Sequence, residues 1–495
     1  MRKLSIVVAS VVVLAFSMAS LAQQADPIKA AADALGAASI KTLQFSGSGK
    51  NFSVGQNYTP AEPWPPVTVK SYTASINYDT GSMRQELVRE MGTTMPRGGG
   101  APFTGEQRQN QVVSGNYAWN VGAPAQPGGQ PAAAAAPGNQ VERMLQLWAT
   151  PQGLIKAAMM NNATTKKAKG GTEVTFTVGG KYKMVGTINP QNQVERVQTW
   201  IDQPIVGDML VETVYSGYKD FGGVMFPSRI VQSQDGYPSL DLTIASVTKN
   251  PAVDIPVPDN VRNAPPPPPV TVASAKLADG IFYLTGGSHH SLAVEMKDHI
   301  VVVDVPQTEQ RATAVLAKAK EVIPGKPIRF LVTSHHHWDH LGGIRTAIDE
   351  GATIVTHQSN KAFLERVAKT PHTINPDRLS TSKKSVKIQT VGDKGVLTDG
   401  TRTIELHLLK SYEHTGDMLV VYLPKERILG EPDAFTSPAT PTTPLVVTAV
   451  PYAAALYDNI KRLNLDVQTI APFHGGRTTD MAELAKNAGK ANTGN

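Results

Sequence analysis

The feature that most constrains this chain is a run of histidine and aspartate residues that directly follows an apolar stretch. The apolar stretch, residues 328–334, is typical of a buried strand. It is followed by His335, His337, Asp339 and His340 in the pattern His-x-His-x-Asp-His. So many ligand-capable side chains in one short loop cannot all be buried in neutral form, and few structural roles need them together. Because α/β proteins place their sites at the carboxyl ends of strands, the run predicts a metal site.

Each metal ion needs three or four ligands, so further ligands must come from later strand ends. His414 lies just before an apolar strand, and Asp433 and His474 each lie just after one. Histidine and carboxylate ligands with an open water position are typical of a hydrolytic zinc centre. The chain has no cysteine, which excludes disulfides, cysteine-ligated zinc, iron–sulfur clusters and thiol nucleophiles.

The distribution of histidines divides the chain. All 12 histidines lie between His289 and His474, and a proline run, residues 264–269, precedes them. Such a run is stiff and extended and is suited to a spacer. The predicted organisation is a signal peptide (1–22), a β-rich N-terminal domain (23–262), a proline-rich linker (263–270) and a second domain (271–495). We expect residues 271–495 to fold alone and to keep the metals.

The amino terminus has the pattern of an export signal. Arg2 and Lys3 precede an apolar run from Leu4 to Phe16, and small residues lead up to a cleavage site after Ala22. The alternative, a membrane anchor, is disfavoured because the run is shorter than the ~20 residues that span a bilayer. The mature protein is expected to be soluble and periplasmic or secreted.

The N-terminal domain is predicted to be mainly antiparallel β. A helix is expected to begin at Asp26-Pro27, and alternating apolar and polar stretches separated by Gly-Gly and Asn-Pro turns then predict a meander. A helical segment, residues 141–161, interrupts the strands with a restart at Pro151. Two low-complexity inserts, residues 96–102 and 122–138, are predicted surface loops.

Residues 213–231, TVYSGYKDFGGVMFPSRIV, resemble the end of the curved sheet in periplasmic lipoprotein carriers. Two roles for this domain stay open, a scaffold or interaction module and a concave apolar binding sheet. In the second domain, strands and helices alternate in an α/β layer pattern, with helices over 309–322, 341–350 and 360–369.

Four motifs of the second domain occur in a characteristic order: TSHHHWDHLGG, HTGDMLVVYLPKERIL, EPDAF and APFHGG. Over about residues 276–474 the chain resembles the metallo-β-lactamase fold, most closely exported hydrolases with an N-terminal β domain. The resemblance implies an αββα sandwich and two Zn²⁺ ions, although these ligand types also suit Fe or Mn. It implies that His335, His337 and His414 bind the first ion, that Asp339, His340 and His474 bind the second, and that Asp433 bridges both.

The chain departs from the family pattern at the bridging position. The usual Gly-Asp is replaced by Glu431-Pro432-Asp433, and Glu431 could share the strand face with Asp433. Asp433 is the predicted ligand because it aligns with the carboxylate of the motif.

The resemblance implies a hydrolase in which a metal-bridged hydroxide attacks the substrate and Asp339 orients the nucleophile and shuttles its proton. An ester, lactone or thioester is the predicted substrate. A β-lactam substrate is disfavoured by Asp433, because β-lactamases of the all-His-plus-Asp kind lack a bridging carboxylate. Three further functions stay open: an iron-dependent dioxygenase or redox member of the fold, β-lactamase activity, and a non-catalytic exported binding protein.

The net charge is +6, and the basic residues are scattered. A scattered charge of this size does not predict nucleic-acid binding. The expected partner is therefore a small-molecule substrate. The protein is expected to have no integral membrane segment after signal cleavage, and its oligomeric state stays open.

Overall fold

The computed structural model describes residues 26–92, 97–100, 102–124, 131–438 and 450–490. The predicted signal peptide, residues 1–22, lies outside them. Below, the N-terminal region means the described residues up to 262, and the C-terminal region means those from 271 onward. Within the described ranges, no helix is long and apolar enough to cross a membrane.

The N-terminal region is built on one antiparallel sheet of 13 strands in the described residues. The strands are β1 (Thr42–Phe52), β2 (Pro66–Asn77), β3 (Ser82–Glu90), β4 (Glu106–Ser114), β5 (Tyr117–Pro124), β6 (Pro131–Ala135), β7 (Thr164–Ala168), β8 (Gly171–Val178), β9 (Tyr182–Ile188), β10 (Val194–Gln203), β11 (Gly207–Asp220), β12 (Met225–Gln234) and β13 (Tyr237–Lys249). Their spatial order is β6-β5-β4-β3-β2-β1-β13-β12-β11-β10-β9-β8-β7, so almost every strand pairs with its sequence neighbour. The predicted antiparallel β fold of this region is confirmed.

Helices of the N-terminal region pack against this sheet: α1 (Pro27–Ala34), α2 (Gln140–Ala149) and α3 (Pro151–Met160). The Asp26 carboxylate accepts a hydrogen bond from the Ile28 backbone N–H at 2.9 Å, which caps α1 as its sequence predicts. Proline lacks the backbone N–H that a continuous helix needs, so the helical segment restarts at Pro151. The helices bury Leu145 and Leu154 in the same hydrophobic cluster as the strands.

The loop prediction for residues 122–138 is wrong for its second half. Residues 131–135 form β6, which pairs with β5, so that Val121 lies opposite Ala133. Helix α4 (Asp259–Arg262) covers this edge, and the Asn260 side-chain amide donates to the Ala133 carbonyl at 2.7 Å. The small alanine side chains of β6 leave room for α4 to cover this edge. The low complexity of the insert does not reveal this packing.

The C-terminal region contains two mixed sheets. Its strands are β14 (Ala273–Ala278), β15 (Ile281–Thr285), β16 (Ser291–Glu295), β17 (Ile300–Val303), β18 (Ile328–Val332), β19 (Thr353–His357), β20 (Lys387–Val391), β21 (Lys394–Thr398), β22 (Thr403–Leu408), β23 (Leu419–Leu423), β24 (Ile428–Glu431) and β25 (Thr469–Pro472). Its helices are α5 (Glu309–Val322), α6 (Trp338–Leu341), α7 (Ile344–Glu350), α8 (Lys361–Lys369), α9 (Arg378–Ser382), α10 (Val450–Arg462) and α11 (Met481–Asn487). Strands β14–β20 form one sheet in sequence order, and β21–β25 form the other.

The two sheets face each other, and helices cover their outer faces. The sequence of β17 is apolar throughout, and the packing of its two faces explains why. Val301 and Val303 point between the sheets toward Val421, whereas Ile300 and Val302 belong to the cluster with α5. A strand buried on both faces needs apolar residues at every position. Helices α10 and α11 cover the second sheet, which confirms the predicted αββα arrangement.

The predicted helix over 341–350 begins only at Ile344, as α7, because Gly342 and Gly343 separate it from the short helix α6. A Cβ atom on Gly342 would lie 2.0 Å from the Gln307 carbonyl oxygen, and one on Gly343 would lie 2.1 Å from the Ala312 Cβ. The turn therefore needs glycine at both positions to approach the start of α5. This close approach holds the end of the histidine run against the sheet.

The two regions share an interface on the side of α8. Asp235 accepts two hydrogen bonds from the Arg366 guanidinium, at 3.0 and 2.9 Å. The Asp208 carboxylate accepts from the backbone N–H groups of Thr373 and Ile374. One hydrophobic cluster includes residues of both regions. The regions therefore pack against each other directly.

Asp377 stabilises the attachment of α9 to α7. Burial raises the pKa of this carboxyl, but hydrogen bonds from Arg345 and Ser380 outweigh burial and bring the pKa to about 2. Because the folded-state pKa is below the unfolded value, the stabilisation is present above about pH 4 and is lost as the pH falls toward 2. We expect Asp377→Asn to lower the free energy of unfolding at pH 7 by about 1 to 2 kcal/mol, since solvent screens part of the interaction.

Urea unfolding of both proteins between pH 7 and pH 3 measures this effect, and the difference between them should shrink as the pH falls. Asp33→Asn, at a position where the carboxylate is largely exposed, is the control and should change stability little. A difference that stays constant with pH would contradict the assignment to Asp377.

Candidate metal centre

The histidine run begins at the carboxyl end of β18 and is held by Asp304, which follows β17. The Asp304 carboxylate accepts a hydrogen bond from the Ser334 backbone N–H at 2.8 Å and from the Ser334 hydroxyl at 2.6 Å. His340 Nδ1 lies 2.9 Å from Asp304 Oδ2. All three side chains are fully buried. Asp304 thus fixes both the start of the run and the orientation of its last histidine.

The first cluster contains His335, His337, His414 and Asp433, whose ligand atoms all lie within 4.8 Å of one another. His335 Nε2 and His414 Nε2 each lie 3.0 Å from Asp433 Oδ2. His337 Nδ1 lies 3.1 Å from His414 Nε2. The structure therefore brings together the three histidines predicted to bind the first ion, although they come from two separate loops.

The second cluster contains His289, Asp339, His340 and His474, again with ligand atoms within 4.8 Å of one another. His340 Nε2 lies 3.1 Å from His474 Nε2. Asp339 Oδ2 lies 3.1 Å from His289 Nε2 and 3.9 Å from the Nε2 atoms of His340 and His474. The three residues predicted to bind the second ion are together, and His289 joins them.

Asp433 connects the two clusters. Its Oδ2 atom faces His335 and His414 of the first cluster and lies 3.2 Å from His340 Nε2 of the second. Its Oδ1 atom lies 2.7 Å from His474 Nε2. Glu431 points elsewhere, because its Oε2 accepts from the backbone N–H groups of Ala434 and Phe435 at 2.8 and 3.1 Å. Asp433, and not Glu431, therefore lies between the two clusters.

The charges of the clusters are strongly coupled. Burial raises the pKa of Asp433, but His340, His474 and His414 outweigh burial and hold that pKa well below its usual range. Burial lowers the pKa of His340, but Asp433 and Asp304 outweigh it and raise that pKa well above its usual value. A metal ion that binds here must displace protons, so its affinity should increase with pH.

The residues present fit a divalent metal. His335 Nε2 is buried, lies next to a carboxylate oxygen and forms no hydrogen bond. Three of the buried histidines are held from outside through the opposite ring nitrogen, whereas His414 Nδ1 has no hydrogen-bond partner. His340 is held by Asp304, His335 Nδ1 lies 3.0 Å from the Ser334 hydroxyl, and His337 Nε2 lies 2.8 Å from a backbone carbonyl. Histidine ligands fixed through their second nitrogen are the usual design of metal sites, and the donor set suits Zn, Fe or Mn.

His336, the residue between two predicted ligands, faces away from both clusters. Its Nδ1 lies 2.9 Å from Asp417 Oδ1, and its Nε2 lies 3.2 Å from Asn57 Oδ1. His357 is also outside the clusters and caps a turn at Ser359. Alternation of side chains along the extended loop explains why neighbours of ligands point in the opposite direction.

Sequence reasoning missed two kinds of residue at this site. His289 is not predicted as a ligand, and the only signal for it in the sequence is the adjacent His290. Gln56 and Asn57 of the N-terminal region carry no signal in the sequence. Gln56 Nε2 donates to Asp339 Oδ1 at 2.8 Å, and the Asn57 carbonyl oxygen is the group that lies 2.8 Å from His337 Nε2. The candidate metal centre is thus not confined to the C-terminal region.

The C-terminal region of the chain is similar to known proteins. The sequence model of the metallo-beta-lactamase superfamily matches residues 284–474. A metallo-beta-lactamase from Pontibacter korlensis is 18% identical over 45% of this chain and 100% of its own, with a TM-score of 0.34. DIM-1 metallo-beta-lactamase is 23% identical over 45% of this chain and 98% of its own, with a TM-score of 0.33. None of the curated proteins compared with the chain matches it.

The C-terminal half of this chain carries a metallo-β-lactamase superfamily domain, preceded by a large antiparallel β-sheet region. The family resemblance inferred from the four sequence motifs is confirmed. Two buried clusters of histidine and aspartate, consistent with a binuclear metal site, lie within this domain.

Proposed function

We propose that this protein is an exported, binuclear, metal-dependent hydrolase that acts on an ester, a lactone or a thioester. The observation that carries the proposal is the convergence of four histidines on the two oxygens of Asp433, at 2.7 to 3.2 Å. One carboxylate that faces two histidine clusters is the arrangement expected of a ligand shared by two metal ions.

Each cluster would hold one metal ion in the proposed reaction. His335, His337 and His414 would hold one ion, and Asp339, His340 and His474 would hold the other. When bound, the two ions would lower the pKa of a water toward about 7 and polarise the attacked carbonyl. Asp339 is half-buried, and its Oδ2 faces the second cluster. In the proposed reaction, Asp339 would orient the attacking water and accept its proton.

The surroundings of the carboxylates support an uncharged acyl substrate. Among the described residues, the ion-pair partners of Asp339 and Asp433 are all histidines. A site for phosphate esters commonly adds arginine or lysine to bind the phosphate oxygens. A reaction on activated water requires no side-chain nucleophile, which fits the absence of cysteine from the chain.

The test is to count metal atoms per chain in the purified protein and to assay ester, lactone and thioester hydrolysis, with a β-lactam included. Two zinc or manganese ions with hydrolysis of one acyl class would support the proposal. One iron per chain with oxygen uptake would instead indicate a dioxygenase. Protein that binds no metal even after zinc is added would overturn the proposal and favour a binding protein.

A further inference from the structure

The loop between β1 and β2 leaves the N-terminal sheet and reaches the histidine run of the C-terminal region. The Trp338 backbone N–H donates to the Gly55 carbonyl at 3.3 Å, and the side chain of Trp338 packs against Trp64. On the other side, the Gly416 backbone N–H donates to the Tyr58 carbonyl at 2.9 Å. The loop therefore lies between the α6 turn and the segment that carries His414.

Within this loop, the backbone of Asn57 determines the tautomer of His337. A carbonyl oxygen can only accept a hydrogen bond, so the contact of 2.8 Å requires the proton of the imidazole to be on Nε2. The lone pair is then on Nδ1, which faces the first cluster at 3.1 Å from His414 Nε2. A contact supplied by the N-terminal region thus leaves this histidine ready to bind an ion.

Gln56 acts in a similar way on Asp339. Its side-chain amide donates to Asp339 Oδ1 at 2.8 Å, while Asp339 Oδ2 lies 3.1 Å from His289 Nε2 within the second cluster. One carboxylate oxygen is occupied by the amide, so the other is directed toward the ligands. A hydrogen-bonded ligating carboxylate is held in one orientation and keeps its charge where the ion needs it.

The loop itself is tightly held. The side chain of Asn57 is 5% exposed. It donates to the Glu62 carbonyl at 2.9 Å and lies 3.2 Å from His336 Nε2. Gly55 has φ +76°, and a Cβ atom there would lie 2.5 Å from the Trp338 ring, so only glycine fits. Contacts that leave no space for an added methyl group indicate a preformed arrangement.

We infer that residues 55–58 are part of the metal centre, with Gln56 as the positioning residue for Asp339 and the backbone of Asn57 as that for His337. The affinity for a divalent cation, most of all at the second cluster, would then depend on the N-terminal region. This inference rests on the proposed binuclear site and adds that the two regions build it jointly.

The test is a titration of the full-length protein with Co²⁺ in the presence of a competing chelator, comparing wild type with Gln56→Leu. Leucine has a similar size but cannot donate. We expect the affinity for the second ion to fall about 10- to 100-fold while the first ion binds as in wild type. The visible spectrum of the second Co²⁺ should also change, because that spectrum reports the ligand arrangement.

Gln191→Leu is the matched control, since Gln191 lies exposed in the turn between β9 and β10. It should bind both ions as tightly as wild type. Gln56→Asn keeps the amide but is shorter by one methylene, so it decides the question if Gln56→Leu does not fold. Equal affinity for both ions in a folded Gln56 variant would overturn the inference, whereas a wild type that binds no ion would overturn the proposed function.

Discussion

His335→Ala is expected to reduce turnover by at least about a thousandfold, a loss of about 4 kcal/mol of transition-state stabilisation. His335 is fully buried, and its Nε2 lies 3.0 Å from the shared carboxylate of Asp433 without a hydrogen bond of its own. Its removal leaves the first cluster with two histidines, so the ion that this cluster would hold should be lost. The measurement is the rate constant together with the number of metal atoms per chain.

The control for this experiment is His299→Ala. His299 is also buried, but it is paired with Asp298 at 2.6 Å and packs against Phe330, away from both clusters. The His299→Ala protein should keep its metal content and most of its activity. Unchanged turnover in a folded His335→Ala protein would exclude the proposed site as the catalytic one.

Removal of the metals by a chelator is expected to abolish hydrolysis and to lower the unfolding temperature of the protein. A ligand present at 100 to 1,000 times its dissociation constant stabilises the folded state by about 2.7 to 4.1 kcal/mol. For a folding unit of about 200 residues, which is roughly the size of the C-terminal region, that free energy corresponds to a shift of about 5 to 16 °C. The physical reason is that the ions would bind the folded state, in which the ligand atoms of each cluster lie within 4.8 Å of one another, whereas the unfolded chain does not hold these ligands together.

Thermal unfolding before and after chelation measures this shift, and added zinc should restore both the temperature and the activity. His335→Ala serves as the comparison, because a protein with an incomplete site should respond less to the chelator. If the metal-free protein unfolded at the same temperature and hydrolysed substrate at the same rate, the metal centre would be excluded as the catalytic site.

Much of the C-terminal fold follows from local patterns. The sequence predicts helix α5 over 309–322, and the structure has the same bounds. The apolar stretch before the histidine run predicts β18, in which Ile328, Leu331 and Val332 are buried and only Arg329 is exposed. Strands β14, β20 and β21 are not predicted, since they lie at sheet edges and their exposed residues lack a continuous apolar pattern.

The site can be predicted in part for a chemical reason. Histidine and aspartate at strand ends have few roles other than metal binding, so these residues can be recognised as candidate ligands before their positions are known. The grouping of His335, His337 and His414 around one ion is what the family resemblance implies. The choice between Asp433 and Glu431 cannot be made from the sequence with the same certainty. It depends on which carboxylate faces the histidines, and Glu431 instead accepts from backbone N–H groups of the next turn.

The sequence by itself determined the residue types that this centre can use, the absence of thiol chemistry and the layered α/β pattern that brings strand ends together. Only the tertiary structure decided that Gln56 and Asn57, about 280 residues before the ligands in the chain, contact Asp339 and His337. Glutamine and asparagine are common on loops and bind metals weakly, so their pattern carries no signal. Their function arises from where the packing of two regions places one amide and one carbonyl.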